Sequence, residues 1–184
     1  MPQAEPLCEP ARDGRFGFPV ENTIGGTPQR NSWSELSGTA GWVAFFAEQR
    51  LRPQCALTRE ATLIKLGDRL CDRLPALFEG LPDEVRPAIL HGDLWSGNIA
   101  ATGGQPVVFD PASYYGHDEA DFGMSWCASF GPAFWSAYHD VIPRAPGFER
   151  RAKLYQLYHY VNHYNLFGGA YYSSALRLLQ ELTA

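Results

Sequence analysis

Between Pro87 and Asp110 an otherwise helical sequence breaks into three short apolar runs: Ala88-Ile89-Leu90, Asn98 to Thr102, and Pro106-Val107-Val108-Phe109. Runs of this length and composition read as strands. The last two flank Gly103-Gly104, a two-residue hairpin signal, because the tight turn that joins twisted strands needs positive φ at both central positions. A hairpin centred there pairs Thr102 with Gln105 and, counting back, Asn98 with Phe109. That register brings Asp110 beside Asn98 at the mouth of the ribbon. An amide oxygen and a carboxylate then converge, with the remaining positions left to water and phosphate. Mg²⁺ prefers such a set, since it dehydrates reluctantly and seldom uses an all-protein cage.

On either side of the ribbon the period is helical. Ser34 is placed to cap a helix carrying Trp42, Phe45, Phe46 and Gln49-Arg50-Leu51, which should stop before Pro53. A second helix is expected from Thr58 to about Phe78, with Leu63, Leu66, Leu70, Leu74 and Leu77 on one stripe. Beyond a loop to about Asp118, helices are expected over roughly 119–130, 133–142, 149–166 and 170–182. Glu119 and Asp121 would open the first of these, where carboxylates suit the helix dipole. Residues 1–33 are rich in Gly, Pro and Asn, carry turn signals at Gly25-Gly26 and Thr27-Pro28, and read as an ordered loop or linker. The expected fold class is α+β, predominantly α, with residues 34–184 as one domain; 184 residues are enough for one genuine core.

Charge narrows the partners. A formal net charge of −5 leaves no basic surface to neutralise nucleic-acid phosphates. No stretch approaches the ~20 apolar residues of a membrane span, and the first residues lack the basic flank and apolar run of a signal peptide. The four cysteines lie far apart with no C-x-x-C pair, which suits free thiols in the cytoplasm. His159 and His163 stand four apart on a helix, but no Glu follows the first and no third ligand is evident, so a core or hydrogen-bonding role is expected.

His91-Gly92-Asp93-Leu94-Trp95-Ser96-Gly97-Asn98 fits the kinase catalytic-loop pattern H-x-D-L-x-x-x-N, in which the Asp meets the acceptor hydroxyl and the Asn binds a metal ion. Asp and Asn in Gly-containing loops are often only turn formers. The complete pattern, followed by a hairpin of the right length with an Asp at its far end, is a much rarer combination. Gly92 replaces the Arg of H-R-D, and only eight residues separate Asp110 from Glu119, which leaves no room for a peptide-docking segment. The acceptor is therefore expected to be small.

HGDLWSGN and the following VVFDPASYYGHDEADFGM resemble the core of the fructosamine (ketosamine) kinase family, as do ENTIGGTPQRNSW, FFAEQRL at 45–51 and YQLYHYVNHYNLFGG at 155–169. Aminoglycoside and choline kinases share His-Gly-Asp and the later Asn without the Trp-Ser-Gly and Tyr-Tyr-Gly-His elements. The resemblance implies ATP-dependent, Mg²⁺-dependent phosphorylation of the 3-hydroxyl of a free or protein-bound ketosamine, a fructosamine or ribulosamine. The 3-phosphate is labile and sheds the amine, which amounts to deglycation. By position, Asp93 would be the base, Asn98 and Asp110 the metal ligands and Trp95 a wall of the sugar site, with His91 and Asp121 bracing the loop.

The fold implied is the C-terminal lobe of a protein-kinase-like molecule. The Gly-rich phosphate loop, the strand lysine and its helix Glu, which belong to an N-terminal lobe, are not evident: the only lysines, Lys65 and Lys153, both sit in helical stretches. The chain alone is therefore expected to bind Mg-ATP weakly or not at all. Either it is the catalytic part of a longer ketosamine kinase, or it is a non-catalytic remnant that still holds a sugar-amine.

Overall fold

In a computed structural model that describes residues 8–184, helices pack around one aromatic and leucine-rich core, with three two-stranded ribbons at its edges. The first seven residues, where the sequence shows no signal-peptide pattern, lie outside the described part. A single turn, α1 (Glu9–Arg12), precedes a hairpin of β1 (Asn22–Ile24) and β2 (Thr27–Gln29) that turns at Gly25-Gly26. The segment read as a loop is thus in part a ribbon. Its strands are three residues long, too short for an alternating pattern, and Phe16 and Ile24 beside and within it are buried in the main core.

The next helix, α2 (Gly38–Phe46), starts later than expected. Ser34 does not cap it, because its hydroxyl accepts the Phe16 amide at 3.0 Å and donates to the Leu36 carbonyl at 2.7 Å. The free Thr39 amide instead donates to the Glu84 carboxylate, 2.6 Å away and remote in sequence. Nor does the helix stop before Pro53. It widens into a π-turn over Ala47–Leu51 and continues as α3 (Arg52–Leu57), with Pro53 in the opening turn of the new segment, where a missing N–H is tolerated.

After α4 (Ala61–Arg73) the chain tightens into a 3₁₀ turn, Leu74–Leu77, at Pro75, so the helix expected from Thr58 to Phe78 is shorter and mixed. Its stripe is nonetheless the buried one: Leu63, Leu70, Leu74 and Leu77 are all in the core. Strand β3 (Ala88–Ile89) leads into the catalytic-type loop, which ends in a 3₁₀ turn at Ser96–Asn98. Then β4 (Ile99–Thr102) pairs with β5 (Gln105–Val108) in the expected register, Thr102 opposite Gln105, and Phe109 donates its amide to the Asn98 carbonyl at 3.1 Å. Strand β6 (Tyr115–Gly116) returns to pair with β3 and also bridges Gly17.

The segment 118–127 is a run of 3₁₀ turns rather than an α-helix, and neither acid at its start caps it. Glu119 is buried against the fully buried Arg151, with contacts of 2.7 and 2.6 Å, and Asp121 reaches back to the catalytic-type loop. Helices α5 (Pro132–Val141), α6 (Phe148–Phe167) and α7 (Tyr172–Thr183) complete the chain close to the expected ranges. At the centre, Trp42 is fully buried among Phe16, Phe45, Phe46, Tyr114 and Tyr155 and donates its indole N–H to the Tyr155 hydroxyl at 3.1 Å. Most polar side chains that reach this interior are hydrogen-bonded, as burial favours, while Arg50 Nε and His159 Nδ1 have no partner among the described residues.

Candidate active site

The loop from His91 to Asn98 is held from three sides. Asp121 accepts the backbone amides of His91 at 3.0 Å and Gly92 at 2.7 Å, so one carboxylate ties two successive residues to the 3₁₀ segment. The His91 ring lies between two backbone groups, its Nε2 3.0 Å from the Phe109 carbonyl and its Nδ1 3.3 Å from the Asp93 amide. With the proton on Nε2, the ring donates to the carbonyl while Nδ1 faces the Asp93 N–H. Gly92 has φ +79°, and a Cβ there would stand 2.2 Å from the Ala112 carbonyl oxygen. Glycine at this place in H-x-D is a packing requirement, and no arginine could occupy it.

Asp93 and Asn98 are locked together. Asn98 is buried, and its Nδ2 donates to the Asp93 backbone carbonyl at 3.0 Å and carboxylate at 3.2 Å, with the Asp110 carbonyl 3.4 Å away. The nitrogen is consumed by the loop, and Oδ1 has no protein donor among the described residues. Asp110 is exposed and adopts φ +56°, an uncommon conformation for a residue with a side chain. Burial pushes the Asp93 carboxyl above its usual range, with Asp110 adding to the push, while His91 and the Asn98 hydrogen bond pull it back.

Asp93 also faces a cleft of about 400 Å³ lined by Trp95, Trp126, His163, Phe167 and Tyr171, with Ile24 and Gly25 from the first hairpin. Trp95 folds over Gly97, whose missing side chain leaves room for the ring. His163 donates Nδ1–H to the His159 carbonyl at 2.7 Å, and its other nitrogen has no partner among the described residues. His159, by contrast, is fully buried, and burial takes its imidazole down to about 3. Of the two histidines set aside from the sequence, one is therefore core and one lines the cleft. Trp126, Phe167 and Tyr171 were not singled out as site residues from the sequence, since aromatic residues at helical spacing read as core.

No group of three or more His, Cys, Asp or Glu side chains that could hold a metal is present among the described residues. An ion at this site would take a carboxylate, an amide oxygen and non-protein ligands, which is the set Mg²⁺ accepts and Zn²⁺ does not. Asn98 fits that role because only its oxygen is unspent.

The mostly helical α+β chain has a kinase-like fold, and it presents a carboxylate from H-x-D, an amide five residues on and a second carboxylate after a hairpin. The comparisons with known proteins are narrower. The family model described as fructosamine kinase matches residues 7–184, and the chain belongs to that family. It is 51% identical over 174 residues to a rice protein named protein-ribulosamine 3-kinase, chloroplastic, covering 92% of this chain and 49% of that one. It is 42% identical to mouse ketosamine-3-kinase, covering 92% of this chain and 54% of the relative. A solved structure from Thermobifida fusca named for fructosamine-3-kinase superposes with a TM-score of 0.77 at 31% identity, over 91% of this chain and 58% of the other. One from Haemophilus somnus, also so named, gives 0.78 at 26%, over 93% and 57%. The chain spans about half the length of the curated relatives it matches. None of its described helices is long and apolar enough to cross a membrane.

Proposed function

We propose that this chain carries the acceptor and metal side of an ATP-dependent kinase that phosphorylates the 3-hydroxyl of a ketosamine and so releases the amine. The observation that supports this most directly is Asp93, fixed by Asn98 and aimed into an aromatic cleft. In this reading Asp93 takes the proton of the acceptor hydroxyl. Trp95 lies against the sugar face, and Asn98 Oδ1 with the Asp110 carboxylate holds Mg²⁺. A bound Mg²⁺ would neutralise the phosphate charge that shifts during transfer. His91 and Asp121 act on the loop alone, by fixing its amides.

A ketosamine fits this cleft better than an aminoglycoside. Among the described residues Asp93 is the only carboxylate lining it, and a polycationic acceptor would call for several. We place the protein in an aqueous, reducing compartment such as the cytoplasm, in keeping with its four free cysteines.

The test is a chimera that joins this chain to the part of the rice relative outside the matched half, assayed for ADP release with a synthetic ribulosamine or fructosamine. Asp93→Asn should lower kcat by about 10²–10⁴-fold with little change in KM for the acceptor. A higher kcat/KM for an aminoglycoside or choline would overturn the ketosamine assignment. Acceptor binding with no turnover under any condition would leave the binding remnant as the better reading.

A further inference from the structure

The segment ENTIGGTPQRN, which the function above does not use, forms the first hairpin, and the hairpin grips the turn that follows Asp110. Gln29, buried on β2, donates from Nε2 to the Ala112 carbonyl at 3.0 Å and to the Asn22 Oδ1 at 2.9 Å. Asn22, on β1, donates to the Ser113 carbonyl at 2.8 Å. Behind them, fully buried Asn31 donates to the same Asn22 oxygen at 3.0 Å and accepts from the Arg50 guanidinium at 2.8 Å. Arg50 is itself fully buried, stacks on Tyr114 with 4.0 Å to the ring centre, and makes no ion pair among the described residues. On the far side, Tyr158 of α6 donates to Gln29 Oε1 at 2.8 Å.

Ala112 is thereby held on every polar atom of its backbone. Its amide donates to the His91 carbonyl at 2.9 Å, its oxygen takes Gln29, and Gly92 closes against that oxygen. Two residues upstream, Asp110 keeps a left-handed backbone, a conformation that persists only where its surroundings over-determine it. The turn of the same hairpin, Ile24-Gly25, lines the cleft that Asp93 faces. One ribbon therefore touches both halves of the site.

We infer that Gln29 and Asn22, backed by Asn31 and Arg50, are positioning residues that fix the Asp110–Ser113 turn against the catalytic-type loop and set it relative to the acceptor cleft. Its consequence for turnover rests on the kinase reading given above; the mechanical part does not. Neither residue touches the reacting atoms, so their removal should loosen the turn more than it weakens the fold.

The experiment compares Gln29→Met with Tyr158→Phe in the full 184-residue chain. The first removes the grip on Ala112, while the second breaks the core side of the same side chain and leaves that grip in place. Thermal midpoints are matched by temperature, and amide hydrogen exchange is read at Ala112 and Gly92 by NMR. Gln29→Met should raise exchange at Ala112 by about tenfold over Tyr158→Phe at equal global stability. Asn22→Ala, at a half-buried position, should move the same amides and supplies the readout if Gln29→Met folds poorly. In the chimera, Gln29→Met should lower kcat by about tenfold with KM for the ketosamine within about twofold. Equal exchange at Ala112 in the Gln29 and Tyr158 variants would overturn the inference. An inactive parent chimera would count against the kinase reading and leave the exchange result to judge the clamp.

Discussion

Asp93, the proposed base, carries a cost to stability. Its carboxyl lies above its usual range because burial outweighs the help it gets from His91 and Asn98. In metal-free buffer the folded chain thus takes up a proton there at a higher pH than the unfolded chain does, and the ionised form detracts from stability at neutral pH. Asp93→Asn keeps an acceptor for the Asn98 amide and removes the charge. It should therefore raise the thermal midpoint slightly, by an amount that solvent screening of this part-exposed group keeps small, while lowering kcat in the chimera by about 10²–10⁴-fold. Calorimetry at pH 7 with chelator checks this; a lowered midpoint would show that the hydrogen bond to charged Asp93 matters more than its desolvation. The two neighbouring residues with the largest structural demands, Gly92 and Asp110, were legible only in part. The sequence shows that Gly92 displaces the Arg of H-R-D, but not that the Ala112 oxygen would sit 2.2 Å from any Cβ.

The β4–β5 hairpin was readable to the residue, because Gly103-Gly104 fixes the turn and the turn fixes the register. Gly103 and Gly104 have φ +56° and +77°, with open space around both, so backbone conformation alone demands glycine there. Gly104→Val should cost the hairpin about 1–2 kcal/mol. Most hairpin side chains are exposed, so the loss should appear as local opening. Exchange at the Phe109 amide should rise while the global unfolding midpoint barely moves; a matching global loss would mean that the ribbon is part of the main cooperative unit. The β1–β2 hairpin carries the same Gly-Gly signal and was missed. Its strands are three residues long, and what keeps them is side-chain hydrogen bonding to a turn some eighty residues away, which no local period reports.

For the molecule as a whole, buried imidazoles set the response to acid. Burial holds His117 at about 4 and His159 at about 3, against 6.5 for a free imidazole. Between pH 6.5 and 4 the unfolded chain binds protons that the folded chain refuses, so stability falls as pH falls, on the order of 2–3 kcal/mol per group by pH 4.5. Buried Glu119 and half-buried Asp121 act the other way, since their carboxyls are pushed up by desolvation and take up protons in the fold. A difference measurement separates the two effects: the thermal midpoint of His159→Gln should fall less steeply with pH from 6.5 to 4.5 than that of the parent, and parallel curves would refute the assignment.

The π-turn at Ala47–Leu51 gives the helix one more residue per turn than an α-helix would hold, and it is this stretch that carries Arg50 and Leu51 into the interior together. Loss of a single codon here, at Gln49 for example, would let α2 run unbroken into α3 with better helical hydrogen bonding. The widened turn absorbs its extra residue locally, so the residues after the join would keep nearly the same facing and the loss would fall on the turn itself. Arg50 would leave its place over Tyr114, and Pro53 would fall inside an uninterrupted helix. For this gene, a locally more regular reading frame encodes a worse protein.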